Sequence, residues 1–119
     1  MTTSDSQPAP YAVERKHPRI PLTIEIRCKG SGRSERFISR DLSPGGVFLY
    51  TTRVYPIDAT VDLSFYVPYH HEQITVRGRV ARHSQDTVSG IVDGMGIEFT
   101  EVPEDARESI DHYMQTTRK

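Results

Sequence analysis

Two arginines stand four positions apart near the start of the chain, in the run Arg15-Lys16-His17-Pro18-Arg19. Pro18 disfavours a helical backbone at His17, so we expect an irregular arm. A guanidinium group is planar, permanently charged and forked, which suits both phosphate oxygens and the O6/N7 edge of guanine. One arm that carries two such groups can therefore grip both parts of a nucleotide.

A second segment, Asp41-Leu42-Ser43-Pro44-Gly45-Gly46, offers complementary chemistry. Its serine, proline and glycine residues are typical of turns, so we expect an exposed loop between the second and third strands. Asp41 supplies an acceptor for the N–H groups of a guanine Watson–Crick edge, and Ser43 supplies a small donor or acceptor. Gly46 lets the backbone approach a ligand closely. The two segments together predict one site with donors and acceptors from separate places.

The elements that must position these segments are β-strands. Half-buried strands alternate apolar and polar residues, and residues 22–28 and 61–67 show this most clearly. Gly78 predicts a bulge or a close backbone approach within its strand. We expect six strands, at residues 22–28, 35–40, 47–51, 61–67, 73–82 and 94–99. Short strands separated by turns favour an antiparallel barrel or sandwich.

The end of the chain changes to helical periodicity. Ala106, Ile110, Tyr113 and Met114 fall at the spacing of an amphipathic stripe. Pro103 suits the first turn of a helix. We therefore expect a helix over residues 103–117 that packs against the strands.

Composition limits the possible functions. Fifteen Lys and Arg residues against sixteen Asp and Glu residues give a net charge of -1, so we expect no general affinity for DNA or RNA, and any anion site must be local. Cys28 is the single cysteine, and no apolar run has the length of a signal-peptide core or a membrane span. We expect a cytoplasmic protein without membrane insertion, either a monomer or a homodimer.

Together the two polar segments resemble the signature of the PilZ domain family, R-x-x-x-R followed by D/N-x-S-x-x-G. The matching residues are Arg15 with Arg19, then Asp41, Ser43 and Gly46. The run Gly-Met-Gly-Ile-Glu-Phe at residues 94–99 is similar to the last barrel strand of that family.

This resemblance implies an all-β, six-stranded antiparallel Greek-key barrel with a C-terminal helix. It divides the chain into a disordered tail at residues 1–12 and one domain at residues 13–119, with arm 13–21, barrel 22–100 and helix 103–117. It also implies a receptor for cyclic di-GMP that has no cofactor and no catalytic activity. Through a protein partner, such a receptor would regulate motility, surface polysaccharide or pili.

The sequence departs from the family at two places. Many relatives carry an aromatic residue in a G-x-V-x-W context, where this chain has Arg82; a guanidinium plane can also stack on a base. Glu14 stands where some relatives place a basic residue that helps to hold a stacked ligand pair, so we expect one cyclic di-GMP per chain. Lys16 is within reach of a phosphate by position in the arm.

Other functions remain open at this point. One is a PilZ-like docking protein that binds no nucleotide. Another is a small barrel for single-stranded nucleic acid, for which Tyr50, Tyr55, Tyr66 and Tyr69 would supply stacking surfaces, although the near-neutral charge does not favour it. The run His70-His71-Glu72 resembles a fragment of a metal site, but adjacent strand residues point to opposite faces. Cys28, His83 and His112 suggest no nucleophile–base pair, so we expect no enzyme.

Overall fold

The computed structural model describes residues 19–117. It contains seven strands and one helix, in the order β1 (Ile20–Pro21), β2 (Glu25–Gly30), β3 (Arg33–Ser43), β4 (Gly46–Tyr50), β5 (Thr60–Phe65), β6 (Ile74–Gln85), β7 (Val92–Glu101) and α1 (Glu104–Thr117). The arm residues Arg15 and Lys16, like Glu14, lie outside the described residues. The proposed boundaries of the tail and of the arm remain predictions.

Six of the strands close into an antiparallel barrel. They pair in the order β3-β2-β5-β6-β7-β4, and an additional β3–β4 pairing joins the two ends of that row. Strands β4 to β7 lie in the spatial order β5-β6-β7-β4, so the first of the four returns beside the last, which is the Greek-key arrangement. The all-β, six-stranded barrel predicted from the sequence is therefore confirmed.

The predicted first strand is interrupted in its middle. β1 and β2 both pair with β3, and residues 22–24 between them leave the regular ladder. The side chain of Ser39, which is fully buried, repairs this gap. Its hydroxyl accepts a hydrogen bond from the Ile24 amide at 3.1 Å and donates one to the Leu22 carbonyl. A buried backbone group without a partner would be costly, so Ser39 stabilises the place where the arm enters the barrel.

Alternation builds the core. The inward side chains of every barrel strand meet inside the barrel, and the predicted inward residues of the first, fourth and last strands are among them. The fully buried side chains at the centre include Ile26, Leu49, Leu63, Val80 and Met95. Burial of side chains of this size contributes about 1.5–3 kcal/mol each, and this drives closure of the barrel.

The C-terminal helix α1 packs its apolar stripe against the barrel. Ala106, Ile110, Tyr113 and Met114 are all buried in the same cluster as the strand residues, as the sequence predicts. Glu104 and Asp105 occupy the first turn, where negative charge interacts favourably with the helix dipole. Within residues 19–117, no helix is both long and apolar enough to span a membrane.

Gly78 confirms the bulge expected in the fifth predicted strand. The register between β6 and β7 shifts between Arg77 and Gly78. A Cβ atom at Gly78 would lie 2.6 Å from the carbonyl oxygen of Glu98, which is too close for any other residue without a backbone shift. The close approach belongs to the barrel wall itself.

Candidate ligand-binding surface

A bulge in β3 decides which way the predicted acceptor residue points. The register between β3 and β4 shifts between Ser39 and Asp41, so Arg40 is an extra residue on the bulged strand. Residues up to Ser39 follow one alternation, and after the shift Leu42 takes the inward position. The bulge thereby turns Asp41, together with Arg40, to the outer wall of the barrel.

On that wall, Asp41 joins two arginines. Its Oδ1 accepts a hydrogen bond from Arg19 Nη1 at 2.7 Å, and its Oδ2 accepts one from Arg40 Nε at 2.9 Å. The Asp41 side chain is only 13% exposed, whereas those of Arg19 and Arg40 are 47% and 41% exposed. The structure therefore brings together Arg19 and Asp41, which stand 22 positions apart and were assigned to one site from the sequence.

The segment that follows is less open than the sequence suggests. Asp41 and Ser43 belong to β3 and are buried, so the expectation of an exposed loop over residues 41–46 is wrong; the turn itself is limited to Pro44 and Gly45. Ser43 Oγ accepts a hydrogen bond from the Gly45 amide at 3.2 Å and lies 3.4 Å from the Gly46 carbonyl oxygen. This is the serine-stabilised turn that such residues favour.

The packing of the barrel wall by itself requires a glycine at position 46. It pairs with Glu98 on β7, and a Cβ atom there would lie 2.3 Å from the carbonyl oxygen of Ile97. Two neighbouring strands approach too closely for a side chain at this position. Any substitution of Gly46 would therefore disturb the barrel wall.

Phe48 forms the floor of this surface. It is 1% exposed but is not part of the interior cluster, because it lies on the outer wall. The Arg40 guanidinium carbon lies 3.8 Å from its ring centroid, and that of Arg82 lies 5.4 Å from the same centroid. Gly94 leaves room for the ring, since a Cβ atom there would lie 2.4 Å from it. Both arginines are within cation–π range of one ring.

Arg82 reaches the site through a second bulge. The register between β6 and β7 shifts between Val80 and Arg82, which pairs with Gly96. A Cβ atom on Gly96 would lie 3.1 Å from Arg82 Nε, so the arginine lies along the bare backbone of β7. Arg82 therefore shares the outer wall with Asp41, on the opposite side of the Phe48 ring.

Sequence reasoning missed Arg40 and Phe48. A signal for Phe48 was present, because Val47, Phe48 and Leu49 are consecutive and alternation allows at most two of the three to face the interior. We call the set Arg19, Arg40, Asp41, Phe48 and Arg82 the outer cluster. It holds three arginines and one carboxylate, which gives a local positive excess on a chain with a net charge of -1.

A second polar group lies inside the barrel and offers no nucleophile. Burial raises the pKa of the Cys28 thiol to about 11, so the reactive thiolate is disfavoured near neutral pH. Burial, followed by the hydrogen bond to Glu35, also raises the pKa of Tyr55. Tyr55 is fully buried and supplies no exposed stacking surface, unlike Tyr66 and Tyr69.

The histidine run has a different setting from the one expected. His70, His71 and Glu72 lie in the loop between β5 and β6 and not on a strand. His70 contacts His112 of α1, with the ring centroids 5.3 Å apart. Among residues 19–117, no group of three or more His, Cys, Asp or Glu side chains is arranged to hold a metal ion.

The fold and the outer cluster define a class: a small Greek-key barrel, closed by a C-terminal helix, with a polar arginine-rich surface on its outer wall. The PilZ domain model matches residues 14–116 of the chain. The chain therefore belongs to the PilZ domain family, as its two short motifs suggest. No curated protein matches the chain in sequence.

Solved structures share this fold. MotI/DgrA, an inhibitor of motility from Bacillus subtilis, has a TM-score of 0.74 at 18% identity, over 88% of this chain and 53% of that one. The PilZ domain of CeSA from a cellulose-synthesizing bacterium gives 0.61 at 16%, over 86% and 99% of the two chains. The PilZ domain of YcgR from Escherichia coli with c-di-GMP gives 0.62 at 13%, over 86% and 89%. The chain thus spans about half of MotI/DgrA and nearly all of the isolated PilZ domains.

Proposed function

We propose that this chain is a receptor for cyclic di-GMP that binds the ligand on the outer cluster. The observation that carries the proposal is the Arg19–Asp41 ion pair at 2.7 Å, which unites the two halves of the PilZ signature on one exposed wall. Family membership supports the same ligand, because YcgR and MrkH, both similar in fold, were solved with c-di-GMP.

The arginines are assigned to the phosphates and to the guanine edge. Arg19 is half-exposed beside Asp41 and can fork onto phosphate oxygens or onto O6 and N7. Arg15 and Lys16 precede it in the same arm and are assigned to the same ligand. Asp41 is assigned to the N–H groups of guanine. Its two carboxylate oxygens already accept hydrogen bonds from Arg19 and Arg40, so each oxygen would accept a second hydrogen bond from the base or exchange one of these partners for it.

The far side of the surface is assigned to the base. Arg82 is exposed and lies along Gly96, so its guanidinium plane can support a stacked guanine. Phe48 would hold that plane from below and would not touch the ligand, since it is itself almost fully buried. Ser43 and Gly46 shape the edge of the surface at the turn after β3.

The output of the receptor is proposed to pass through a protein partner. Ligand binding would order the arm next to Asp41 and so change the surface offered to that partner. MotI/DgrA is named as an inhibitor of motility, which favours motility as one regulated process; surface polysaccharide and pili are the others. The assigned chemistry is binding, and no catalytic step is part of the proposal.

One observation favours a second candidate, a PilZ-like docking protein without nucleotide. Both carboxylate oxygens of Asp41 already accept hydrogen bonds from arginines. A carboxylate satisfied in this way can serve the fold alone, by fixing the arm to β3. The two candidates differ in a single property, which is saturable binding of the nucleotide.

The experiment is isothermal titration of the purified chain with cyclic di-GMP, with cyclic di-AMP and GTP as parallel ligands. We expect saturable binding of cyclic di-GMP alone, at one ligand per chain. Arg15→Ala should weaken this binding strongly. Arg36→Ala is the matched control, because Arg36 is an exposed arginine that pairs with Glu25 and does not belong to the outer cluster.

The outcomes separate the candidates. If high concentrations of cyclic di-GMP produce neither binding heat nor thermal stabilisation, the receptor function is rejected and the docking protein is the remaining candidate. Binding that Arg15→Ala does not weaken would reject the assigned site while retaining the ligand. Two ligands per chain would reject the single-ligand expectation based on Glu14.

A further inference from the structure

Two histidine side chains meet where the β5–β6 loop touches the C-terminal helix. The ring centroids of His70 and His112 lie 5.3 Å apart, with the ring planes at 79°. The His70 ring also lies 6.4 Å from the ring of Tyr113. The His70 amide donates to the Val67 carbonyl at 3.2 Å, which fixes the loop on which the ring stands. Neither histidine belongs to the outer cluster.

The separation of the two rings suits metal coordination. Neutral imidazole is a preferred ligand of zinc, copper and nickel. Two imidazoles that share a tetrahedral ion at metal–nitrogen distances of about 2.0–2.1 Å have ring centroids about 5 Å apart. The 5.3 Å between the centroids of His70 and His112 falls in this range and also in the range of edge-to-face ring packing, so the test must separate the two. The rings come from two different elements, so an ion between them would cross-link those elements.

We propose that His70 and His112 form a two-histidine site for a divalent late transition metal ion, which fastens α1 to the barrel. In the part of the chain from residue 19 to residue 117, no third His, Cys, Asp or Glu completes a group of three, so the proposal assigns two protein ligands and leaves the other coordination positions to solvent. An ion that binds the folded state stabilises it by mass action. Metal should therefore raise the thermal stability of the helix–barrel contact.

The test uses Ni²⁺ as the probe, on full-length protein made without a polyhistidine tag and treated with a chelator. At about pH 7.5 most imidazoles are neutral and free to bind metal. We expect one Ni²⁺ per chain by titration calorimetry and a rise of several degrees in Tm. Mg²⁺, which prefers oxygen ligands, should produce neither effect.

Variants distinguish coordination from ring packing. His70→Phe and His112→Phe keep an aromatic ring at the contact and remove the ligating nitrogens, and each should abolish the Ni²⁺ response. His71→Phe is the matched control, because His71 is the exposed neighbour in the same loop and should retain the response. Far-UV circular dichroism checks that each variant is folded, and a glutamine substitution at the same position replaces any that is not.

Two results would overturn the proposal. Wild-type protein with the same Tm in Ni²⁺ and in chelator would show that the rings only pack. A Ni²⁺ response that survives in His70→Phe or His112→Phe would place the ion elsewhere. Neither result bears on cyclic di-GMP binding, which uses other residues.

Discussion

Two clusters of the same chemical type involve strand β3, one on the outer wall and one around the buried ring of Tyr55. In the outer cluster Asp41 binds Arg19 and Arg40, and Arg40 covers the Phe48 ring at 3.8 Å. In the other, which we call the inner cluster, Glu35 lies between Arg33 and Arg53, and Arg33 covers the ring of Tyr55 at 4.4 Å. The two carboxylates are six residues apart, about 20 Å along a strand.

The clusters differ in what they leave open. Tyr55 is buried in the core, and its hydroxyl donates to Glu35 at 3.0 Å, so the inner carboxylate is held by a rigid neutral donor as well as by arginines. Phe48 offers no hydroxyl, and the arginines above it stay partly exposed. The inner carboxylate is therefore tied to a core side chain, whereas the outer carboxylate is held by arginines alone.

One inserted residue produces this difference. Glu35 and Asp41 are both odd-numbered, so an unbroken strand would point both side chains to the same face. The bulge at Arg40 breaks the alternation and turns Asp41 outwards. The comparison predicts that changes in the outer cluster affect ligand binding with little effect on folding, whereas changes in the inner cluster leave binding unchanged and lower stability only where the altered side chain is buried.

The largest expected effect is the loss of cyclic di-GMP binding in Arg19→Ala. Removal of one side of a charge-assisted contact typically costs about 2–5 kcal/mol, roughly 30- to 4000-fold in Kd. Arg53→Ala is the counterpart in the inner cluster; its side chain is 70% exposed, and we expect unchanged binding and a change in stability within about 0.5 kcal/mol. Titration calorimetry and urea unfolding measure both. Equal losses of binding in the two variants would break the comparison.

The next effect is on base selectivity in Asp41→Ala. A carboxylate that accepts guanine N–H groups gives a discrimination of about 1–3 kcal/mol, and its loss should reduce the preference for cyclic di-GMP over cyclic di-AMP roughly 5- to 150-fold. Competition titration with the two dinucleotides measures this preference. The exposed carboxylate variant Glu25→Ala serves as the control. An unchanged preference in Asp41→Ala would restrict Asp41 to holding Arg19 and Arg40.

A smaller effect is expected for Tyr55→Phe, which removes a single hydroxyl from the inner cluster. The hydrogen bond from Tyr55 to the Glu35 carboxylate should contribute about 1.5 kcal/mol, because the acceptor is charged and largely buried. Chemical unfolding should show this loss, and cyclic di-GMP affinity should not change. A Tyr55→Phe variant with weakened ligand binding would mean that the two clusters are coupled through β3.

The bulge also explains where sequence reasoning stopped. Clean alternation at residues 61–67 and a regular stripe in the helix identified their elements, because nothing interrupts either period. The strand was expected to end at residue 40 because residues 41–46 have the composition of a turn, yet β3 continues to Ser43. Its buried residues Phe37 and Leu42 are five apart, a spacing that a period of two does not contain. Periodicity within one strand does not reveal an inserted residue. The bulge is set by the pairing of β3 with β4, which is a separate strand.

The site was predictable in part for a related reason. Arg19 and Asp41 carry charge and stand in a recognisable motif, so their types and spacing revealed them. Arg40 and Phe48 gain their importance from contacts with each other and with Gly94, and single residues of these types are common on any strand. Family resemblance supplied the proposed ligand, and the local sequence wrongly indicated a loop over all of residues 41–46, because its serine, proline and glycine residues are typical of turns.

The last expected effect is a loss of stability in alkaline solution that originates in the buried thiol of Cys28, next to Tyr55 of the inner cluster. Burial raises the pKa of Cys28 from 9.0 to about 11. Between these values the folded chain holds a proton that the unfolded chain has released, so the free energy of unfolding should fall by up to about 1.4 kcal/mol per pH unit as the pH rises. Below pH 9 this contribution is constant.

Urea unfolding at several pH values, on the wild type and on Cys28→Ala, measures that slope. The variant is expected to be less stable at every pH because it leaves a small cavity, but its decline between pH 9 and 11 should be shallower. Tyr55, whose pKa is also raised, accounts for the decline that remains. Asp41→Ala should decline as steeply as the wild type. An equal slope in Cys28→Ala would mean that the wild-type Cys28 thiol titrates alike in the folded and unfolded chains, so that burial does not raise its pKa.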